Sequence, residues 1–194
     1  MYADIHAHAS KMGCFMFGNC LSAEAQLKNM LLPKLISMNC LNFDFIECGF
    51  SEKMMNVKDK KDGLSREGCG RVAIHKETNL PHCYTLECNY ASGRRINHLP
   101  PKFNKINGTV EPETSRVTDM HSRMYTKNKA PNYNIEIFED VGRAFCVGLL
   151  DYIDKNPISR INMSTYKTVE NVKNDILAHY PIIIPRKQEN KTED

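Results

Sequence analysis

Two histidines one residue apart, His6 and His8, are the first residues of this chain with metal-binding chemistry. On an extended strand, residues i and i+2 point to the same side, so both imidazoles could address one metal ion. A catalytic zinc takes three protein donors and keeps water in the fourth position, so the pair alone does not define a site. Ordinary polar residues are the alternative. Glu87 is the second candidate, a carboxylate inside the otherwise largely apolar run 82–88. It either lies on a solvated face or stands in a cleft. Partial burial would move its pKa towards neutrality, which suits a general base that must later act as an acid. The third candidate is residues 61–71, where Gly63, Gly68 and Gly70 alternate with Lys61, Arg66 and Arg71. The glycines permit tight turns, but no Gly-Lys-Ser/Thr phosphate loop is present, so the stretch reads as a flexible basic loop. No Ser/His/Asp or Cys/His arrangement follows from spacing.

These residues need elements to position them. Residues 2–6 read as a strand running into a loop. Gly18-Asn19 marks a turn and Ser22 an N-cap, after which Leu27, Met30, Leu31, Leu35 and Met38 form one apolar helix face. Pro33 predicts a kink or an early restart of that helix. Residues 41–45 read as a strand and 56–70 as a surface loop. Residues 71–75 read as β, Asn79 as a turn, and 82–88 as a second strand of that region. The prolines and glycines of 93–132 predict loop. Asn134 to Ile153 is the clearest helix, with Phe138, Val141, Phe145 and Leu149 in one stripe and Glu136, Glu139 and Asp140 near its positive end. A last helix follows over 165–180. Short strands among amphipathic helices give an α/β class, a mixed sheet flanked by helices.

Composition narrows the function classes. The 194 residues are 41% hydrophobic and 25% charged, the balance of a globular protein. No apolar run approaches the length of a membrane span. Residues 1–6 lack the basic and apolar regions of a signal peptide, so a cytoplasmic protein is expected. A net charge of +3 is too small to imply nucleic acid. Residues 53–76 nevertheless carry seven Lys/Arg against three acids, a local +4 that suits an acidic ligand. The eight cysteines contain no CxxC pair, and without a secretion signal they are expected to be reduced thiols.

Several of these segments, taken in order, carry a resemblance. Residues 2–19, Tyr-Ala-Asp-Ile-His-Ala-His-Ala-Ser-Lys and then Gly13-Cys-Phe-Met-Phe-Gly-Asn19, resemble the zinc-histidine motif of the cytosolic carboxypeptidases. Phe43-Asp44-Phe45, Phe50-Ser51-Glu52-Lys53, Gly68-Cys69-Gly70-Arg71-Val72-Ala73-Ile74 and Tyr84-Thr85-Leu86-Glu87-Cys88-Asn89-Tyr90 continue the match. Residues 135–152 resemble the helix that closes the domain. The resemblance implies a zinc metallocarboxypeptidase that removes glutamate from polyglutamylated proteins such as tubulin, within a subgroup known for the branch-point glutamate. It implies His6 as the third zinc ligand, His8 lining the site without being a ligand, and Glu87 as general base and acid. Arg66 and Arg71 are then the expected contacts for substrate carboxylates, with a structural role the alternative for Arg71. The implied partners are glutamylated tubulin tails, with neither nucleic acid nor membrane. Ciliary or microtubule association would follow from the substrate alone.

The chain departs from that pattern in one respect. The family's other two zinc ligands belong to an HxxE motif, and none of the seven histidines has a glutamate three residues on. Residues 1–182 therefore read as the C-terminal half of a catalytic domain whose sheet is incomplete on its N-terminal side, and 183–194 as a polar tail. Two of the three protein ligands for the single Zn2+ are expected to be missing from this chain. The alternative is a catalytically dead fragment or a non-catalytic module that binds acidic tubulin tails.

Overall fold

A computed structural model describes residues 1–56, 68–94, 96–113, 115–126 and 130–180. In chain order the elements are β1 (Tyr2–His8), β2 (Cys14–Phe17), α1 (Ala23–Ser37), α2 (Glu52–Asn56), α3 (Gly70–Thr78) and β3 (Cys83–Asn89). There follow β4 (Phe103–Asn104), β5 (Thr109–Val110), α4 (Ser115–Thr118), α5 (Arg123–Thr126), α6 (Ile135–Tyr152), β6 (Ile158–Ser159) and α7 (Val169–His179). The strands make two sheets, ordered β1-β3-β2 and β5-β4-β6. In the first, β3 runs parallel to β1 and antiparallel to β2. Helices and a mixed sheet bear out the α/β class. The tail 183–194 lies outside the described residues.

A parallel pair cannot be joined by a hairpin and needs a crossover. That requirement corrects the reading of residues 71–75 as β: they belong to α3, which packs on both β1 and β3. Five residues containing Val72 and Ile74 fit either period, and tertiary context decides. The helix ends where Asn79 adopts the left-handed conformation, φ 54°, and its N–H reaches the His75 carbonyl. Residues 41–45 are also not a strand. Phe43 makes a single bridge to Cys14, and the Asp44 carboxylate then accepts from the Ile46 N–H at 3.2 Å, turning the chain into a short 3-10 helix, Phe45–Glu47.

Helix α1 is the centre of the fold and differs from expectation in two ways. It has two buried sides rather than one. Leu32 and Ile36 meet the sheet and α6 with Met16, Phe43, Leu86, Val141 and Ala144, while Leu31 and Leu35 meet Phe45, Ile161, Val172 and Ile176. It also continues past Pro33 without the restart that is one of the two expectations there. Proline has no N–H for the carbonyl four residues back, here Asn29. That carbonyl instead accepts from the buried Tyr84 hydroxyl at 2.8 Å. Strand β3 thus supplies the bond that Pro33 forfeits. At the N-terminus, Ser22 occupies the cap position without using its side chain, and the Leu21 N–H is taken by Gln26 Oε1 at 2.8 Å.

The described residues of 93–132 are mostly loop, as the prolines and glycines predict, and they are tied down by side chains. Asn97 Nδ2 donates to the carbonyls of Ser37, Cys40 and Phe43, and the Arg160 guanidinium holds Glu113 through two bonds of 2.9 and 2.6 Å. No helix among the described residues is long and apolar enough to cross a membrane.

Candidate functional site

Strand register sorts the side chains of the first sheet onto two faces. Paired residues of neighbouring strands share a face, and successive residues alternate. Cys14, Met16, Tyr84, Leu86 and Cys88 point into the core under α1 and α6. The other face therefore carries Asp4, His6 and His8 from β1, Thr85, Glu87 and Asn89 from β3, and Phe15 and Phe17 from β2. His6 is the register partner of Glu87, and Phe15 is its partner on the other side. A row His6–Glu87–Phe15 crosses the sheet near the C-terminal ends of the parallel strands, where open α/β sheets place their ligands. Towards the strands' beginnings the same face is covered by α3, with Gly70 against the Tyr2 ring and Arg71 over the Phe17 ring.

Within the row the environments differ sharply. Glu87 is 8% exposed. His6 is open, its side chain 55% exposed, with Nε2 at 3.1 Å from Asp4 Oδ1. His8 is partly buried against Phe15, ring centroids 5.6 Å apart, and its Nδ1 accepts from the backbone N–H groups of Ser10 and Lys11 at 3.3 and 2.9 Å. That bond holds the loop after β1.

The structure brings His6, Glu87 and His8 onto one face. Arg71 reaches the same face but is buried, with hydrogen bonds to Cys69 Sγ at 3.0 Å and to the Met54 carbonyl at 2.8 Å. These bonds tie the start of α3 to α2. Arg66, with Lys58, Lys60 and Lys61, lies outside the described residues. Among the described residues, no three His, Cys, Asp or Glu side chains gather to hold a metal. The described residues therefore do not complete a zinc centre.

Two features of the site escaped the sequence reading. Asn89, 5% exposed, ties the strand ends together: Nδ2 donates to the carbonyls of His8 and Lys11, both at 3.0 Å, while Oδ1 accepts from Ala91 and Ser92 N–H. A polar residue ending an alternating run is the signal that could have found it. The second is a cationic rim. Lys11 Nζ stands 4.3 Å from the Phe15 ring centroid and 3.1 Å from Glu47 Oε2, while Arg94 NH1 holds Glu47 Oε1. Two cations on one carboxylate leave this edge of the face net positive, and Arg94 is half exposed.

No protein-family model matches the chain. Among curated proteins it is 47% identical over 179 residues to cytosolic carboxypeptidase-like protein 5 of Danio rerio, covering 92% of this chain and 19% of that protein. The Homo sapiens protein of the same name is 45% identical over 179 residues, again 92% of this chain and 19% of the relative. Cytosolic carboxypeptidase 6 of Mus musculus is 32% identical over 92 residues, 47% of this chain and 15% of that protein. The chain spans about a fifth of the length of the curated relatives it matches.

Proposed function

This chain belongs to the cytosolic carboxypeptidase family, and from that membership we propose that it is part of a metallocarboxypeptidase catalytic domain acting on polyglutamylated proteins such as tubulin, branch-point glutamate included. One observation carries the reading: His6 and Glu87 are register partners on the face of a parallel strand pair that points away from α1 and α6. This is the juxtaposition that a metal donor and a proton carrier require. Zinc, when bound, activates water and polarises a scissile carbonyl. His6 would be this chain's donor to it, the remaining ligands coming from outside the described residues.

Glu87 does the proton work. Its carboxylate accepts a proton from the attacking water and returns it to the departing amine nitrogen, which requires the group to be shielded from bulk water and fixed in place. Burial of its side chain and the flanking Phe15 ring supply both. The net positive rim of Lys11 and Arg94 favours an acidic peptide on this face.

The test is a chimera in which residues 2–180 replace the matched 179 residues of the Danio rerio relative. Glutamate release from a glutamylated tubulin-tail peptide is expected to persist. In the chimera Glu87→Gln should abolish release while peptide binding stays within twofold. A folded chimera without activity, or an active Glu87→Gln, would overturn the reading.

A further inference from the structure

The face away from Glu87 carries a second chemistry. Cys14 and Cys88 are register partners on the antiparallel strands β2 and β3, and both point into the core. The Asn89 N–H donates to the Gly13 carbonyl at 3.0 Å, which makes Cys14 and Cys88 a non-hydrogen-bonded pair. Such pairs have the closer side chains of the ladder, with Cα atoms about 4.5 Å apart. Disulfides accept Cα separations of about 4.4–6.8 Å. The two thiols are therefore direct cross-strand neighbours on the core face, with the Tyr133 ring packed against the same cluster. They differ in access: Cys14 is fully buried, whereas Cys88 is partly exposed. Access makes Cys88 the sulfur that a small oxidant in solution meets first, with Cys14 behind it in the core.

We propose that Cys88 and Cys14 form a peroxide-responsive oxidation site in which Cys88 reacts first and Cys14 resolves it to a disulfide. The Cys88 thiolate attacks one peroxide oxygen, the O–O bond breaks, and the leaving hydroxide takes a proton to become water. Cys88 is thereby oxidised to the sulfenic acid. The Cys14 sulfur then attacks the Cys88 sulfur, the S–O bond breaks, and the oxygen leaves as water with the Cys14 proton. Two thiols lose two protons and two electrons, and one hydrogen peroxide becomes two waters. Since the pair already meets across the ladder, the bond ties β2 to β3 without moving either strand. It lands one residue from Glu87 and one from Phe15.

The experiment titrates the reduced full chain with hydrogen peroxide, quenches with N-ethylmaleimide in denaturant so that buried thiols are labelled, and reads intact mass. Eight adducts are expected before oxidation, and six plus the loss of two hydrogens after it. Tandem mass spectrometry should link tryptic peptide 12–28, through Cys14 rather than Cys20, to peptide 77–94, through Cys88 rather than Cys83. Dithiothreitol should restore eight adducts. Cys146, exposed on α6, is the internal control and should still be labelled when the pair is lost. Cys14→Ser should stop at a dimedone-reactive sulfenic acid on Cys88, and Cys88→Ser should give neither product. Oxidation of Cys146 ahead of the pair, a link between other cysteines, or persistence of eight adducts would overturn the proposal, and the wild-type chain alone decides among these.

Discussion

Replacing Tyr84 by phenylalanine removes a hydroxyl whose partner has no other donor along its helix. The Asn29 carbonyl would ordinarily accept from the N–H of residue 33, and residue 33 is proline. In Tyr84→Phe that carbonyl remains in the core with the Tyr84 ring position still filled, so cavity formation contributes little. An unsatisfied buried acceptor costs about 1–3 kcal/mol. For a chain of this size that is a fall in Tm of roughly 2–12 °C, at about 2–4 °C per kcal/mol. The explanation makes a sharper demand than the single variant. In Pro33→Ala the alanine N–H reaches Asn29 and the helix regains its bond, so the tyrosine hydroxyl becomes dispensable. Adding Tyr84→Phe to Pro33→Ala should then cost well under half of what it costs in the parent, a coupling of about 1–2 kcal/mol. Urea unfolding of the four proteins, followed by circular dichroism at a helix wavelength, measures the cycle. Additivity within about 0.5 kcal/mol would refute the idea that β3 completes α1.

The same substitution should have opposite signs at two glycines of α6. A Cβ on Gly148 would stand 2.8 Å from Ile36 Cγ1 and 3.2 Å from its backbone N, so Gly148→Ala should destabilise by about 1–3 kcal/mol from forced repacking, partly offset by helix propensity; Gly142 has nothing within 4 Å, so Gly142→Ala should stabilise by about 0.5–1 kcal/mol. Thermal melts of both variants decide. Glu113 gives a pH signature: burial pushes its carboxyl up, but the hydrogen bonds and charges of Arg160 and Lys102 outweigh this and hold it below its ordinary 4.5. Its contribution is therefore complete above about pH 4.5 and lost as pH falls through the lowered value, so Glu113→Gln should cost stability at neutral pH and little in acid, as denaturant titrations across pH would show. Asn89→Ala removes four hydrogen bonds at the strand ends and should cost about 2–4 kcal/mol, with hydrogen exchange accelerated at Ala91 and Ser92 first. Unchanged exchange there would refute the role given to Asn89.

Legibility in the sequence followed the range of the interactions involved. Helix α6 could be read because its apolar stripe and the acidic residues near its start are local signals, and the structure begins the helix just after Asn134, whose Oδ1 accepts from Ile137 N–H. Strands β1 and β3 were found by composition and bounding residues, but their parallel pairing was not, since nothing within residues 71–75 reports the crossover that makes them α3. That the helix continues past Pro33 was illegible for the same reason: the hydroxyl that serves the Asn29 carbonyl lies 55 residues from Asn29 along the chain. Of the candidate residues, His6 and Glu87 were identified separately, and register brought them together. Of the two roles expected for Arg71, substrate contact or structural residue, burial and the hydrogen bonds to Cys69 Sγ and the Met54 carbonyl favour the structural one, and burial is what charge in a sequence does not report. The Lys11–Glu47–Arg94 rim joins residues 36 and 47 positions apart in the chain and has no sequence signature.

Strand β3 explains why packing and chemistry in this protein cannot be altered independently. Its residues alternate between two tasks: Tyr84 completes α1, Leu86 fills the core and Cys88 faces Cys14, while Thr85, Glu87 and Asn89 form the opposite face. A slip of one residue against its neighbours would exchange these sets, since side-chain period on a strand is two. Glu87 would then enter the core beside Met16 and Leu32, where a carboxylate has no partner, and Leu86 would lose its contacts with α1. Burying an unpaired carboxylate and exposing a leucine both oppose the slip. The register that places His6 beside Glu87 is therefore enforced by the apolar face, and substitutions at Leu86 or Tyr84 should disturb the His6–Glu87 pairing although neither residue touches that face.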